Sequence, residues 1–325
     1  MSVEVVVVGG SGFIGTRLCA RLQAAGRTFA IIDRRVSAAY PNESSVAEAA
    51  SPAFAAAVPP STAIVNLAAE HRDDVRPTSR YEEVNVGGAR DVCAVASRND
   101  VRLIVFSSSV AVYGDVAVDA DERAVPRPAS PYGRSKLAAE QVYRRWQAED
   151  PSKRTLVVVR PAAVFGEGGR GNVNLLLSQV AASRFVMVGD GRNVKSLAYV
   201  ENVAAFIEFA LSFTSGVHVY NYVDKPDLPV HELIAFVRAE AGRTPRVRMR
   251  VPYAAAYLVG GLFDVARFVS KRPFAISAQR VRKFGASSQF GTAIGETGFV
   301  PPVPLREGLA ATVRHVLAER RDGAR

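Results

Sequence analysis

Cysteine is almost missing from this chain: Cys19 and Cys93 are the only two in 325 residues, and both fall within helix-like patterns. That rules out a disulfide scaffold. Each reads as a small buried apolar residue in a reducing, cytoplasmic setting. Long apolar runs are also lacking. The longest after the opening strand, Ala254 to Phe263, is too short to span a bilayer and is followed at once by Asp264 and Arg267, so no transmembrane segment is expected. The start has no basic region ahead of its valines, which leaves no secretory signal to expect. Acidic residues are outnumbered, 31 against 41 Lys and Arg, giving a net charge of +10. Such a surplus would allow nucleic-acid binding, but the basic residues are scattered and no densely basic, aromatic-interleaved surface is evident, so no nucleic-acid partner is expected. The densest cluster, Arg243 to Arg250, alternates like one solvated strand face. A basic surface suits an anionic small substrate, and an anionic membrane surface as well. The sequence also lacks internal repeats and low-complexity linkers, and no metal site is expected.

What is present follows a strand–helix rhythm. Val3–Val8 is apolar but for Glu4 at its start, as for a strand covered on both faces of a parallel sheet. It runs directly into Gly9-Gly10-Ser11-Gly12-Phe13-Ile14-Gly15, after which a helical pattern continues to about Ala25. Glycines at 9, 12 and 15 permit a tight turn, close approach to a pyrophosphate and close helix–strand packing, while the helix N-terminus offers amide donors. The next strand, Thr28 to Ile32, ends in Asp33. A carboxylate there can accept from both ribose hydroxyls of an adenosine and repels a 2′-phosphate, which favours NAD over NADP; Arg34 and Arg35 just beyond it pull the other way. Another buried-type strand, Ala63–Leu67, runs into Ala68-Ala69, whose small side chains let a ribose approach the backbone. His71 beyond them reads as solvated. A long helix over Thr78–Arg98 carries Asn85, a mid-helix amide that needs partners and is placed to hold a water beside a proton relay.

The relay comes next. Apolar Leu103–Phe106 leads into FSSSVAVYG, and SPYGRSK then opens a helix that places Tyr132 and Lys136 four residues apart on one face. A nearby ammonium favours the phenolate and moves the tyrosine toward working pH, as a general acid/base requires. Ser109, at the strand's end, can offer a hydroxyl to the same reacting oxygen, so the three suit an alcohol–ketone pair. Thr155–Val159 is a further strand. Beyond it the rhythm loosens, with a glycine-rich loop (Gly166–Gly171), helices from Asn172, over Glu201–Leu211 and over Val230–Ala241, a strand at Val217–Tyr222 and mainly helical segments after Pro252. The expected fold is α/β: a doubly wound parallel, Rossmann-type sheet in a dinucleotide-binding domain (1–165), with a smaller, interleaved mixed α/β substrate lobe (166–325) some of whose segments return to the first domain.

These motifs resemble the extended short-chain dehydrogenase/reductases of the nucleotide-sugar epimerase/dehydratase group over nearly the whole chain. The resemblance rests on GGSGFIG, NLAAEHRDD, NVGG around Asn85, FSSSVAVYG, YGRSK, RPAAVFG, GDGRNVKSLAYVENV and GFVPPVPLREGL. It implies that Tyr132 is the acid/base, that Lys136 binds the nicotinamide ribose and lowers the tyrosine's pKa, and that Ser109 bonds the sugar hydroxyl. Pro161 and Val164 would line the nicotinamide. The cofactor-binding set then comprises Gly9, Gly12, Phe13, Ile14 and Gly15, Asp33 and Arg34, Leu67, Ala68 and Ala69, Asn85 and Ser107, besides Tyr132 and Lys136. A nucleoside-diphosphate sugar is the implied substrate, with Asn172, Arg192 and Lys195 on its diphosphate. A homodimer through the helices Thr78–Arg98 and Ser130–Ala148 is implied too; Val92, Val95, Val142, Tyr143 and Trp146 look like the apolar excess for its seam.

Three positions depart from the family pattern. No aspartate follows the third strand, so either Glu48 touches adenine or that contact is missing. Lys195 stands where an arginine is usual, and Asn202 replaces the aspartate of a Val-x-Asp pattern. A fourth feature selects the reaction: Val110-Ala111 occupies the place of the Asp-Glu pair that 4,6-dehydratases use and of a glutamate kept by decarboxylating relatives. What remains is 4-epimerisation through a transient 4-keto sugar, with net 4-ketoreduction as the alternative. An NAD-binding structural subunit and an enzyme of apolar alcohols are also open; the retained Tyr/Lys pair opposes the first, the polar Gly166–Asn174 loop the second.

Overall fold

The computed structural model describes residues 2–72, 75–114, 119–246, 250–259, 261 and 285–322. Strands β1 (Val3–Val8), β2 (Phe29–Asp33), β3 (Ser44–Val46), β4 (Ser61–Asn66), β5 (Leu103–Ser107) and β6 (Thr155–Pro161) belong to one seven-stranded sheet. Its order is β3-β2-β1-β4-β5-β6 plus a last strand, Gly216–Tyr222, beside β6, and every pairing is parallel. Away from their ends the inner strands are apolar on both faces because both faces are covered. Alternate residues go to opposite cores: Val5, Val7, Val65, Val105 and Val157 on one side, Val6, Val8, Ile64, Ile104 and Val158 on the other. Helix α1 (Phe13–Ala24) and the later helix Val200–Phe209 fill the first side. Gly88–Arg98 and Pro131–Glu149 fill the second.

Between these lie α2 (Phe54–Ala57), which is a single turn, and α3 (Ser79–Tyr81). The regular helix expected over Thr78–Arg98 is interrupted: a π-helical stretch, Glu82–Gly87, separates α3 from α4 (Gly88–Arg98). Within it the buried amide of Asn85 bonds the Glu70 backbone and Ser135 instead of facing solvent. After α5 (Pro131–Glu149) and β6 come β7 (Ala163–Phe165), α6 (Asn172–Ala181), β8 (Met187–Val188), β9 (Val194–Tyr199), α7 (Val200–Phe209), β10 (Gly216–Tyr222), β11 (Asp224–Pro229), α8 (Val230–Glu240) and β12 (Arg250–Val251).

The second lobe is built on two small sheets. β9 pairs parallel with β7 and antiparallel with β11, and β12 pairs parallel with β8. Its own core joins Phe165, Leu177, Val180, Leu197, Ile234 and Val237 with Leu309 and Val313 of the last helix, α9 (Leu305–Asp322). Of the mainly helical stretch expected after Pro252, residues 253–259 are helical and residues 262–284 lie outside the described residues. The five apolar residues read as a dimer seam need correcting: Val92, Val95, Val142, Tyr143 and Trp146 are all buried in the chain's own core, packed under the sheet.

Candidate active site

The order of the sheet puts β1 between β2 and β4, so the chain leaves β1 and β4 in opposite directions and opens a crevice at their carboxyl ends. Gly9 turns there with φ +82°, and a Cβ on it would lie 2.7 Å from the Ala68 nitrogen; only glycine lets the β1 and β4 turns meet. Asn66 sets the second turn, accepting from the Ala68 N–H at 3.0 Å while its amide donates to Tyr143 at 2.6 Å. Helix α1 begins beyond Gly12 with no side-chain cap and no acidic residue in its first turn. Its first-turn amides are thus left to an anionic ligand. Asp33 faces them across the turn: its carboxylate accepts from Ser11 N–H at 3.1 Å and from Arg35 N–H at 3.3 Å, while Arg34 and Arg35 are exposed. A glycine cradle, open helix amides and a carboxylate at the end of β2 fit a dinucleotide such as NAD.

Ser109 ends the β5 segment in extended backbone and caps the 3₁₀ turn Val110–Tyr113 by accepting from Ala111 N–H at 3.1 Å. That turn presses on the start of α5, where a Cβ at Gly133 would collide with the Ala111 carbonyl; Ser130 caps the helix through Gly133 N–H at 3.0 Å. Tyr132 follows Pro131 in the first turn, half-buried, its ring 6.3 Å from that of Tyr81. Lys136, one turn further, is only 2% exposed, and its ammonium lies 4.4 Å from the Phe106 ring centre. Burial pushes its pKa down to about 7, against the pull of the Glu140 carboxylate. Asn85 holds this corner together: it donates to Ser135 Oγ at 2.8 Å, which in turn bonds the Tyr132 carbonyl, and it exchanges bonds with the Glu70 backbone. Its amide is engaged by protein groups where the sequence suggested a water. His71 is exposed, as a solvated loop histidine should be.

Beneath the relay lies a network that the sequence reading did not single out. Ser108 donates to Glu140 at 2.5 Å; Arg160 grips the same carboxylate twice and donates to Tyr113, which donates to Asn221 at 2.8 Å. Glu140 is fully buried and Arg160 nearly so. The signal was available: Glu140 stands four residues after Lys136 on a buried helix face, and Arg160 closes an otherwise apolar strand, two charges that need each other.

The second lobe reaches the crevice through the Gly166–Gly171 loop. Asn174, buried, closes the loop by donating to the Gly166 carbonyl at 2.5 Å, and a Cβ at Gly169 would come within 2.9 Å of Phe13 in α1. Pro161 is buried and Val164 half-buried ahead of this loop, whereas Asn172 is exposed. Lys195 and Arg192 differ in setting. Arg192 is 85% exposed, 3.7 Å from Asp190. Lys195 donates to the Ala286 carbonyl at 2.5 Å and to Ser288 Oγ at 3.3 Å, and burial lowers its pKa to about 8. Glu48 pairs with Arg80 at 2.9 Å. Asn202, fully buried, bonds Asp224 and both backbone groups of Val303. Asp224 carries the charge that the usual aspartate would have brought, and its own burial raises its pKa to about 6.

A glycine turn before an uncapped helix, with Ser109 after β5 and Tyr132 and Lys136 one turn apart on α5, is compatible with a nicotinamide-dependent enzyme that interconverts an alcohol and a ketone. The model of the NAD dependent epimerase/dehydratase family matches residues 5–222, and the chain belongs to that family. It is 42% identical, over 97% of its length and 96% of the relative's, to the N-acetyl-alpha-D-glucosaminyl-diphospho-ditrans,octacis-undecaprenol 4-epimerase of Escherichia coli O157:H7. The fold matches UDP-glucose 4-epimerase from Thermotoga maritima with UDP-glucose (TM-score 0.77, 21% identity, 98% of this chain and 100% of that one). It matches the UDP-glucose 4-epimerase of Thermus thermophilus complexed with NAD at TM-score 0.74 and 23% identity, over 98% of this chain and 99% of that one. Among the described residues no helix is long and apolar enough to cross a membrane.

Proposed function

We propose that the protein is an NAD-dependent 4-epimerase of a diphosphate-linked sugar, N-acetylglucosamine carried on a polyprenol. The single observation behind the carrier is the 42% identity, end to end, to an epimerase of that substrate. The nucleoside-diphosphate sugar expected from the sequence shares the diphosphate, and UDP-N-acetylglucosamine, which carries the same sugar, is the comparison substrate. NAD, held by the Gly9–Gly15 turn, Asp33 and the Leu67–Ala69 loop, supplies a reversible hydride acceptor. Tyr132 takes the proton of the sugar's 4-hydroxyl as that carbon becomes a ketone and returns it when the hydroxyl re-forms on the other face. Ser109 donates to the same oxygen, and the Lys136 charge favours the phenolate. With Val110-Ala111 beside Ser109, the site has no further acid/base pair there to expel water from the sugar. The reaction therefore ends where it began in redox terms.

Lys195, Arg192 and Asn172 contact the diphosphate in this reading, in a substrate lobe drawn mainly from residues 166–325. The enzyme works on the cytoplasmic side as a homodimer whose contacts lie on the outer faces of α4 and α5. Purified enzyme without added reductant is to be given N-acetylglucosaminyl-diphospho-polyprenol and UDP-N-acetylglucosamine in parallel. Appearance of the 4-epimer from the first, faster than from the second, is the expected result. With NAD added, build-up of one NADH per sugar oxidised and no 4-epimer, the reverse of ketoreduction, would make it a ketoreductase, and turnover of the nucleotide sugar alone would return the carrier to a nucleoside.

A further inference from the structure

Basic residues occur throughout the chain, but the net surplus falls in one stretch of sequence. Residues 243–283 hold ten arginines and lysines against one acidic residue, Asp264, a surplus of nine, where the whole chain with 41 basic and 31 acidic residues has a surplus of ten. The remainder is balanced to within one charge. At the described start of this stretch Arg243, Arg246 and Arg250 are exposed, and β12 ties the chain to β8 of the second lobe. Immediately beyond, the helix 253–259 turns Ala256 inward and leaves Tyr253, Tyr257, Leu258 and Val259 at 41, 45, 69 and 43% exposure. Tyr253 and Tyr257 lie one turn apart with their rings stacked at 6.2 Å. Large apolar side chains are seldom gathered on a surface without a partner.

We propose that this edge of the second lobe docks on an anionic lipid bilayer. Exposed arginines beside outward tyrosines and aliphatics match a membrane interface: the cations meet anionic headgroups, the tyrosines sit at headgroup level, and Leu258 and Val259 enter the acyl boundary. A nucleic acid would use the arginines and tyrosines but would leave Leu258, the most exposed of the four, without a favourable environment. The docking face also connects to the candidate diphosphate anchor. Gly285 packs on the Tyr253 ring, where a Cβ would lie 2.7 Å away, and the next residue's carbonyl accepts from Lys195. A diphosphate whose lipid remains in the bilayer would therefore meet Lys195 close to the headgroup plane. The proposal deepens the reading of a lipid-carried substrate, but it concerns a surface and can be tested without substrate.

The test is flotation of the full chain with phosphatidylcholine vesicles and with vesicles containing about one-third phosphatidylglycerol. Binding to the second kind only, released by high salt, is expected. Arg246→Gln and Arg250→Gln should each weaken it roughly fivefold, the size of one headgroup-level charge. Leu258→Ser with Tyr257→Ser should weaken it further while thermal unfolding stays that of the wild type. Equal binding to both vesicles, no binding to either, or variants that bind like the wild type overturn the proposal, as does retention on an oligonucleotide without vesicle binding. A chain that floats with anionic vesicles but epimerises only the nucleotide sugar would keep this surface and refute the lipid-carried substrate. The reverse result would do the opposite.

Discussion

Arg160 meets Glu140 side-on, Nε to Oε1 at 2.9 Å and a terminal nitrogen to Oε2 at 2.6 Å, with both side chains almost completely out of water. Paired donors on paired acceptors offset much of the cost of burying the two charges, and Ser108 satisfies a further lone pair. Removing one partner leaves the other buried and uncompensated. Glu140→Gln should thus lower unfolding free energy by about 3 to 5 kcal/mol, read from urea transitions. Exchanging both residues, Glu140→Leu with Arg160→Met, should recover most of it. A single variant as stable as the wild type would mean that the pair only fills space.

The same carboxylate bears on Lys136, one turn back. Burial lowers this lysine to about 7, and an unfolded chain would return it to its ordinary value near 10.5. The unfolded state therefore binds one more proton than the folded state across that interval, so stability of the cofactor-free protein should rise with pH from about 7 toward 10. Below pH 7 both states are protonated and the slope disappears. Lys136→Met should flatten the rise, as measured by denaturant midpoints across pH; an unchanged slope would place the titration elsewhere.

Much of this fold was readable because its signals are local. A valine run into a glycine turn, with Asp33 closing the next strand, specifies the cradle by adjacency alone, and helix geometry places Tyr132 and Lys136 one turn apart on one face. What escaped the reading depends on contacts distant in sequence. Asn85 looked like a regular helix position, but it lies in a π-helical turn and its partners are Glu70 and, fifty residues later, Ser135. The apolar surplus of α4 and α5 suggested a seam because a sequence does not show that one helix face packs on the sheet while the flank packs on its neighbour. Asn202 looked like a lost charge, and Asp224 proved to supply one from an adjacent strand.

Cofactor choice should rest on Asp33. Because its carboxylate also fixes the turn through Ser11 N–H, Asp33→Asn is the cleaner substitution, keeping an acceptor while removing the charge. Wild-type protein should bind NADH more tightly than NADPH, and Asp33→Asn should narrow the difference. A wild type that prefers NADPH would mean that exposed Arg34 and Arg35 prevail.

Tyr132→Phe should abolish turnover by a few orders of magnitude, the scale of a positioned acid/base, while NADH affinity and melting temperature hold. The phenol is half-buried at the helix start, so its loss leaves the buried network intact. Turnover near the wild-type rate in a folded, cofactor-binding variant would remove Tyr132 from the chemistry.

Lys195 carries the finest distinction. Its ammonium already donates to the Ala286 carbonyl and Ser288 Oγ, so one role is to fasten the returning chain onto β9, where Ser288 N–H bonds the Val194 carbonyl. The other role is to present charge to a substrate diphosphate. A lysine does this as a point charge, and its two protein acceptors would hold it in place for the purpose. Lys195→Ala removes both roles, but the readouts separate them. Loss of a charge-assisted bond to phosphate costs about 1.5 to 3 kcal/mol, so KM should rise roughly tenfold to a hundredfold or more, with NADH affinity unchanged. Loss of the fastening alone would lower the melting temperature and leave KM where it was. Burial has brought the lysine's pKa down to about 8, so its charge fades above that pH. The wild-type KM should therefore rise as pH passes about 8, and in Lys195→Ala that rise should be absent. A KM indifferent both to the substitution and to pH would place the diphosphate elsewhere in the crevice.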